Sequence, residues 1–269
     1  MSRRGGGSAS VVALPDGPDE AERFDDPDWL AVLEAFQGAG SVLPDAYAPL
    51  FGPLLETRSD LTVVGQLGQS LDGRIATVTG HSKYINGPDC LAHLHRLRAV
   101  CDAVVVGVGT AICDRPRLTV RLVAGRNPAR VVIDPRGRLE DWESLNTEDG
   151  ARCLLLTGAD APGAAPDGVE VHRLGMSGGN VDPHAIRAFL SAQGFRRVLL
   201  EGGAQTISRF IDARALDRLH LLISPVLLGS GPAGLQLPAI ATVDEAIRPP
   251  TVTHCLGSEL LVDCDLSGI

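Results

Sequence analysis

Three stretches of this 269-residue chain bring together residue types that can bind a phosphorylated ligand beside a carboxylate. The first is Ser70-Leu-Asp72-Gly-Arg74-Ile-Ala76. The second runs from Gly107-Val-Gly109-Thr110 to Asp114-Arg-Pro116-Arg117-Leu-Thr119-Val-Arg121. The third is Glu201-Gly202-Gly203-Ala204. Each follows an apolar run with the pattern of a buried strand, so each falls at a strand end. Open α/β sheets bind their ligands at the carboxyl ends of strands. Carboxylates there orient a ligand or hold a proton. Arginines pair with phosphate, and glycines let a phosphate approach the backbone.

Each stretch also has a plainer reading. A dinucleotide-binding fingerprint needs a third glycine where Ile112 stands, so Gly107 and Gly109 are equally tight-turn residues. Asp114 ahead of Arg-Pro fits an Asx turn, and Arg117 and Arg121 fit a solvated face. Gly202 and Gly203 fit a simple strand-to-helix turn. In the loop Gly80-His81-Ser82-Lys83-Tyr84, Ser82 suits a phosphate and Tyr84 suits either ring stacking or packing.

Composition limits the function classes. With 44% hydrophobic residues the chain can bury a sizeable core, and a net charge of −9 argues against a general nucleic-acid binder. Lys83 is the only lysine among 24 cations, a bias that fits a GC-rich genome better than a function, although arginine is also the better bidentate phosphate ligand. The six cysteines form no C-x-x-C pair and stand in no zinc-like spacing with histidine, so no metal is expected. No apolar run reaches the length of a membrane span, and the N-terminus lacks a secretory h-region. The expectation is a cytoplasmic protein with no membrane partner. Nucleophile elbow, Walker A, H-E-x-x-H and zinc deaminase signatures are all missing.

The elements that must position these residues alternate strand and helix. Residues 1 to about 26, rich in Gly, Pro, Asp and Ser, are expected to be largely disordered. A short helix is expected over Trp29–Phe36, with Asp28 as its cap, and an irregular strap over 39–58, where Pro44, Pro49 and Pro53 fall. Strands are expected at Leu61–Leu67, Ala103–Gly107, Arg130–Asp134, Cys153–Leu156, Val169–Leu174, Arg197–Glu201 and Leu219–Ile223. Helices are expected at Pro88–Val100, Pro183–Gln193 and Ala204–Ile211. One or two edge strands are expected within Val252–Val262. This pattern predicts an α/β fold with a mainly parallel sheet. It divides the chain into an N-terminal extension, 1–58, and a main domain, 59–269.

Several of these motifs, in this order, resemble the pyrimidine reductases of riboflavin biosynthesis: Ser70 to Ala76, Gly80-x-Ser82, Arg96-Leu-Arg98-Ala, Val106 to Thr110, Asp114 to Arg121, Val132-Ile-Asp134, Leu200-Glu-Gly-Gly203 and Pro225-x-Leu-Leu-Gly229. The resemblance implies a dihydrofolate-reductase-like fold, with helices on both faces of the sheet and antiparallel C-terminal edge strands. It further implies a stand-alone reductase that uses NADPH to reduce the ribosyl group of a phosphoribosylamino-pyrimidine to ribityl, and a homodimer. It places Ser82, Arg98, Arg117, Arg121 and Glu201 at the substrate. Gly68, Tyr84, Thr110, Asp114, Pro135 and the helix start Gly202, Gly203, Ala204, Gln205 and Thr206 fall at the cofactor, beside Gly107 and Gly109. Asp114 is expected to orient the transfer, and Arg136 to meet the 2′-phosphate of NADPH. Gln66 stands where many bacterial relatives have lysine. The alternatives are reductases of the undeaminated pyrimidine, dihydrofolate or another pterin-like compound, and a non-catalytic nucleotide-binding module.

Overall fold

The computed structural model describes residues 26–40, 42–56, 60–83, 85–146, 148–162 and 165–269. The stretch expected to be disordered, up to residue 25, and Tyr84 lie outside the described residues. Helices α1 (Pro27–Phe36) and α2 (Ala48–Leu55) come first, followed by β1 (Thr62–Ser70), α3 (Pro88–Val100), β2 (Ala103–Gly107) and α4 (Val108–Asp114). Next are β3 (Ala129–Ile133), β4 (Cys153–Thr157), β5 (Val169–Arg173) and a small hairpin of β6 (Met176–Ser177) and β7 (Asn180–Val181). The chain closes with α5 (Pro183–Ala192), β8 (Arg197–Glu201), α6 (Ala204–Asp212), β9 (Arg218–Ser224), β10 (Thr251–Leu256) and β11 (Glu259–Asp265).

Nine strands form one sheet in the order β10-β11-β9-β1-β8-β2-β3-β4-β5. All neighbours from β9 to β5 are parallel, whereas β11 is antiparallel to both β9 and β10. The expected mainly parallel sheet with antiparallel C-terminal edge strands is therefore present. Successive strand residues face opposite sides. Val104, Val106, Val132 and Leu155 pack with α1, α2 and α3, through Trp29, Phe51 and Leu97. Val105, Val131, Leu154 and Leu156 pack on the other face with α5 and α6, through Ile186, Leu190, Ile207 and Phe210. Burying both faces explains why these strands read as unbroken apolar runs.

Two expectations are corrected. The strap over 39–58 contains α2. Pro49 lies in its first turn, where the missing N–H has no intrahelical partner in any case, and Pro53 is tolerated inside so short a helix. Leu50, Phe51 and Leu54 are then buried, and Phe51 meets Trp29 edge-on at 5.7 Å. The cap of α1 is Asp26 rather than Asp28; its carboxylate accepts from Trp29 N at 2.6 Å, while Asp28 sits in the first turn. Trp29, fully buried, donates its indole N–H to Ala124 O at 2.9 Å.

Against β9, His93 Nε2 lies 3.1 Å from His220 Nδ1, and both rings are buried. Burial, reinforced by the Arg218 charge, pulls His220 down to about 3; burial and His220 hold His93 well below its ordinary value. A histidine that titrates lower in the folded state than near 6.5 costs nothing above that pH. Below it, the unfolded chain takes up a proton that the native fold refuses. Stability should therefore fall as pH drops from about 6.5 toward 3, by about 1.4 kcal/mol per pH unit per histidine. Urea unfolding at pH 7.5, 6 and 5 measures this. His220→Gln should make the slope shallower by about one proton, whatever its effect on absolute stability; an unchanged slope would refute the assignment.

Candidate active site

The first motif turns out to be a clamp. Asp72 accepts from Ser70 Oγ at 2.5 Å, Leu228 N at 3.1 Å and Gly229 N at 2.7 Å. The Ser70 hydroxyl and these amides lower its pKa to about 2. It joins the end of β1 to the loop after β9 and does not line the cavity described below. Arg74 extends the same joint, donating to Gly231 O at 3.2 Å.

The second motif differs from a glycine turn. β2 runs straight into α4, and Gly107 is buried in extended backbone. Its lack of a side chain is required by close approach, since a Cβ there would sit 2.5 Å from Thr206 Oγ1. Helix α4 ends at Asp114, after which Arg115 and Leu118 both adopt positive φ. Such strain in residues other than glycine persists only where surroundings impose it. Leu118 is fully buried, and three side chains tie the loop from below. Arg98 Nη1 donates to Thr119 O at 2.9 Å, Arg130 Nε to Arg117 O at 3.1 Å, and His95 Nδ1 accepts from Arg121 N at 2.9 Å. Asp114 accepts no hydrogen bond among the described residues, so the Asx-turn reading fails. Its side chain is left to the cavity, and its pKa is raised by loss of hydration and then by the Glu201 charge.

The third motif supplies the cradle. Glu201 ends β8 opposite Gln66 of β1, and Gly202 and Gly203 follow at φ 57° and 66°. Left-handed backbone of this kind suits glycine. It aims the amides that open α6 into a cavity of about 650 Å³. Thr110 closes the other side, with its Oγ1 3.0 Å from where a Gly203 Cβ would be.

This cavity is lined by Gly68, Ser82, Gly107, Gly109, Thr110, Asp114, Pro135, Gly202, Gly203, Ala204, Gln205 and Thr206, all singled out by the sequence. A free helix N-terminus beside glycine backbone receives a pyrophosphate, so the residues present fit a nicotinamide dinucleotide. A model of the RibD C-terminal domain matches residues 62–248. The chain belongs to the RibD C-terminal domain family. It is 30% identical over 213 residues to the 2,5-diamino-6-ribosylamino-4(3H)-pyrimidinone 5′-phosphate reductase of Methanothermobacter thermautotrophicus, covering 77% of this chain and 98% of that enzyme. It is 33% identical over 201 residues to riboflavin biosynthesis protein RibD of Aquifex aeolicus, covering 72% of this chain and 54% of RibD. Among solved structures it resembles the deaminase/5-amino-6-(5-phosphoribosylamino)uracil reductase of Thermotoga maritima, with a TM-score of 0.66 and 30% identity over 76% of this chain and 56% of that one. The chain thus spans about half the length of these RibD proteins.

Within this RibD C-terminal domain, five residues named from sequence do not line the cavity: Arg98, Arg117, Arg121, Glu201 and Arg136. Arg98 and Glu201 are buried and pair with each other, Nε to Oε2 at 2.8 Å with a second contact between Nη2 and Oε1. Arg117 and Arg121 are exposed on the loop beyond Asp114, where Arg121 Nη1 donates to Thr119 Oγ1 at 3.0 Å. Arg136 is exposed on the turn after β3.

Sequence reasoning missed Asn86, Arg138, Asn180 and Gln236, which also line the cavity. Asn86 Nδ2 is held by Ser224 Oγ at 2.8 Å and Glu259 Oε1 at 3.3 Å. Its Oδ1 occupies the place where a Gly68 Cβ would be, which explains the glycine there. That contact joins residues distant in sequence and left no local signal. Asn180 follows Gly178-Gly179, a dipeptide that marks a hairpin turn.

Proposed function

We propose that this protein is an NADPH-dependent reductase of riboflavin biosynthesis. It converts the ribosyl group of 5-amino-6-(5-phosphoribosylamino)uracil to ribityl. The observation that carries this reading is that one cavity joins the Gly202–Gly203 cradle to Asp114, a carboxylate that accepts no hydrogen bond among the described residues and whose pKa is raised. The cradle suits a dinucleotide pyrophosphate, and Asp114 lies within the same volume, where a second reactant would meet it.

NADPH when bound supplies a hydride for the sugar C1′. The chain's own residues align the reactants and manage one proton. Gly68, Gly107, Gly109, Thr110, Pro135, Tyr84 and the first turn of α6, Ala204 to Thr206, hold the cofactor. Ser82, Arg117 and Arg121 hold the substrate, with the two arginines nearest its phosphate. Each hydride added at C1′ of the opened sugar requires one proton on the amine nitrogen. Asp114, whose pKa is raised by lost hydration and the Glu201 charge, orients that end and delivers the proton. Arg98 and Glu201 serve the substrate indirectly, by fixing the loop and the charge facing Asp114. Alignment supplies most of the acceleration in a hydride transfer of this kind.

The reductase domain is proposed to span 59–269, after an N-terminal extension, in a cytoplasmic homodimer. Among the described residues no helix is long and apolar enough to cross a membrane. A second substrate reading is the undeaminated diamino-pyrimidinone phosphate, favoured by coverage of 98% of the Methanothermobacter reductase, whose name specifies that compound. Following NADPH absorbance with the uracil form, the diamino form and dihydrofolate tests both readings. Turnover of the uracil form alone is expected. Preference for the diamino form selects the second reading, and turnover of neither pyrimidine overturns both.

A further inference from the structure

Asparagine has a donor end and an acceptor end, and its surroundings decide which one faces a ligand. Asn86 lines the cavity half-buried, and its orientation is dictated from behind. Both hydrogens of Nδ2 are taken, one by Ser224 Oγ at 2.8 Å and one by Glu259 Oε1 at 3.3 Å. Ser224 gives its only hydroxyl hydrogen to the same Glu259 oxygen, and Gly87 N donates to Glu259 Oε2 at 2.9 Å. Turned the other way, the Asn86 carbonyl would face a carboxylate and a hydroxyl with no hydrogen left to give. Ser224 and Glu259 are buried, so that clash would go unscreened. Oδ1 is therefore the end left to the cavity. It lies against Gly68, where the missing Cβ makes room for it, and nothing among the described residues donates to it.

The side of the sheet decides which reactant meets this acceptor. Alternation along the strands puts Gly68 on the same face as Val64, Ser224 on that of Leu222 and Glu201 on that of Leu199, and these three apolar residues pack with α3. Leu91 and Leu94 of α3 line the cavity from that side as well. Helix α6, whose first turn forms the phosphate cradle, packs on the opposite face. The dinucleotide belongs to the α6 side, which leaves the α3 side to the second reactant. Two leucines and one fixed acceptor make a slot for a flat ring whose edge bears an N–H.

We propose that Asn86 Oδ1 accepts the N3–H of the substrate pyrimidine, with Glu259 and Ser224 as the positioning residues that keep this acceptor turned toward the cavity. The proposal rests on reading the cavity as a pyrimidine reductase site. N3 carries hydrogen in both the uracil and the diamino form, whereas N1 does so only in the uracil form, so the assignment holds for either substrate reading. It makes Asn86 a specificity residue against rings that present a lone pair or a methyl group at that edge.

The N3-methyl analogue of whichever pyrimidine form turns over replaces this one donor. Followed by NADPH absorbance, the full-length wild-type protein should use the analogue with a kcat/KM at least about tenfold below that of the parent. Asn86→Leu, close in size but without an acceptor, should lower kcat/KM for the parent about tenfold, mostly through KM, and bring the two substrates within about twofold of each other. NADPH affinity, read by fluorescence, should stay within about twofold of wild type and reports that the variant is folded. Glu259→Gln places an amide where it can donate to Asn86, so Asn86 is free to turn. It should narrow the same ratio in part, which a merely structural role would not do. Equal wild-type rates for parent and analogue overturn the proposal, as does an unchanged ratio in the two variants. Weakened NADPH binding at an unchanged substrate ratio also overturns it and gives Asn86 to the cofactor. Failure of the wild type to turn over either pyrimidine overturns the reductase reading, and the proposal with it.

Discussion

Asp114→Asn should lower kcat by about 100-fold or more while changing the NADPH dissociation constant less than about threefold. The substitution keeps size and polarity but removes the exchangeable acid proton. General acids contribute roughly 10²- to 10⁴-fold, and none of the cradle amides contacts this side chain. Asp114 ends a short helix, faces the cavity, and has its pKa raised by lost hydration and by Glu201. The wild-type enzyme should therefore keep its acid form to higher pH than an ordinary aspartate, and kcat should decline as pH rises through that raised pKa. In the Asn variant the residual rate should lose this limb. NADPH binding followed by fluorescence, beside single-turnover rates across pH, separates the two effects. A fully active Asn variant would refute the role.

Arg98→Leu should cost about 3–5 kcal/mol of unfolding free energy, because it leaves Glu201 buried without its ion partner. The side chains of Arg98 and Glu201 are only 6% and 12% exposed, so solvent does little to screen the loss. Arg98 also ties the loop after Asp114 through Thr119 O. The double variant Arg98→Leu/Glu201→Leu removes both charges and should recover more than half of the loss. Urea unfolding of the two variants, compared with the wild type, measures this. A single variant within about 1 kcal/mol of wild type would show that Glu201 finds water or another cation, and the pair would then have no organising role.

Most of the sheet was legible in the sequence because its strands are short apolar runs between glycine or proline punctuation. β2 and β8 match their expected spans. The misses have physical causes. In α2, two prolines outweighed an apolar periodicity that tertiary burial makes decisive. Helix α4 is hidden by the glycines at its start. For the site, glycines and carboxylates at strand ends were legible because local chain order places them there. Which arginine faces the cavity was not, since Arg98 and Arg138 differ in partner rather than in local pattern. Arg98 on α3 finds Glu201 at the end of β8, whereas Asp134 spends its carboxylate on backbone amides of its own turn and leaves the Arg138 side chain to the cavity. The hold of Asn86 on Gly68 depends on Glu259, contributed by the last strand.

The strand order also governs when this protein is able to fold. β1 lies inside the sheet, yet Thr62 pairs with Arg197 and Gly65 with both Leu200 and Leu219. During synthesis the first strand therefore emerges with both hydrogen-bonding edges open and waits for nearly the whole chain. β2 to β5 come off the ribosome as a sequence of neighbours and can zip together earlier. Closing such distant pairs is intrinsically slow, and the waiting edges invite association between nascent chains. Expression at low temperature, or with a holdase chaperone, should therefore raise the soluble yield more than any change to the finished surface.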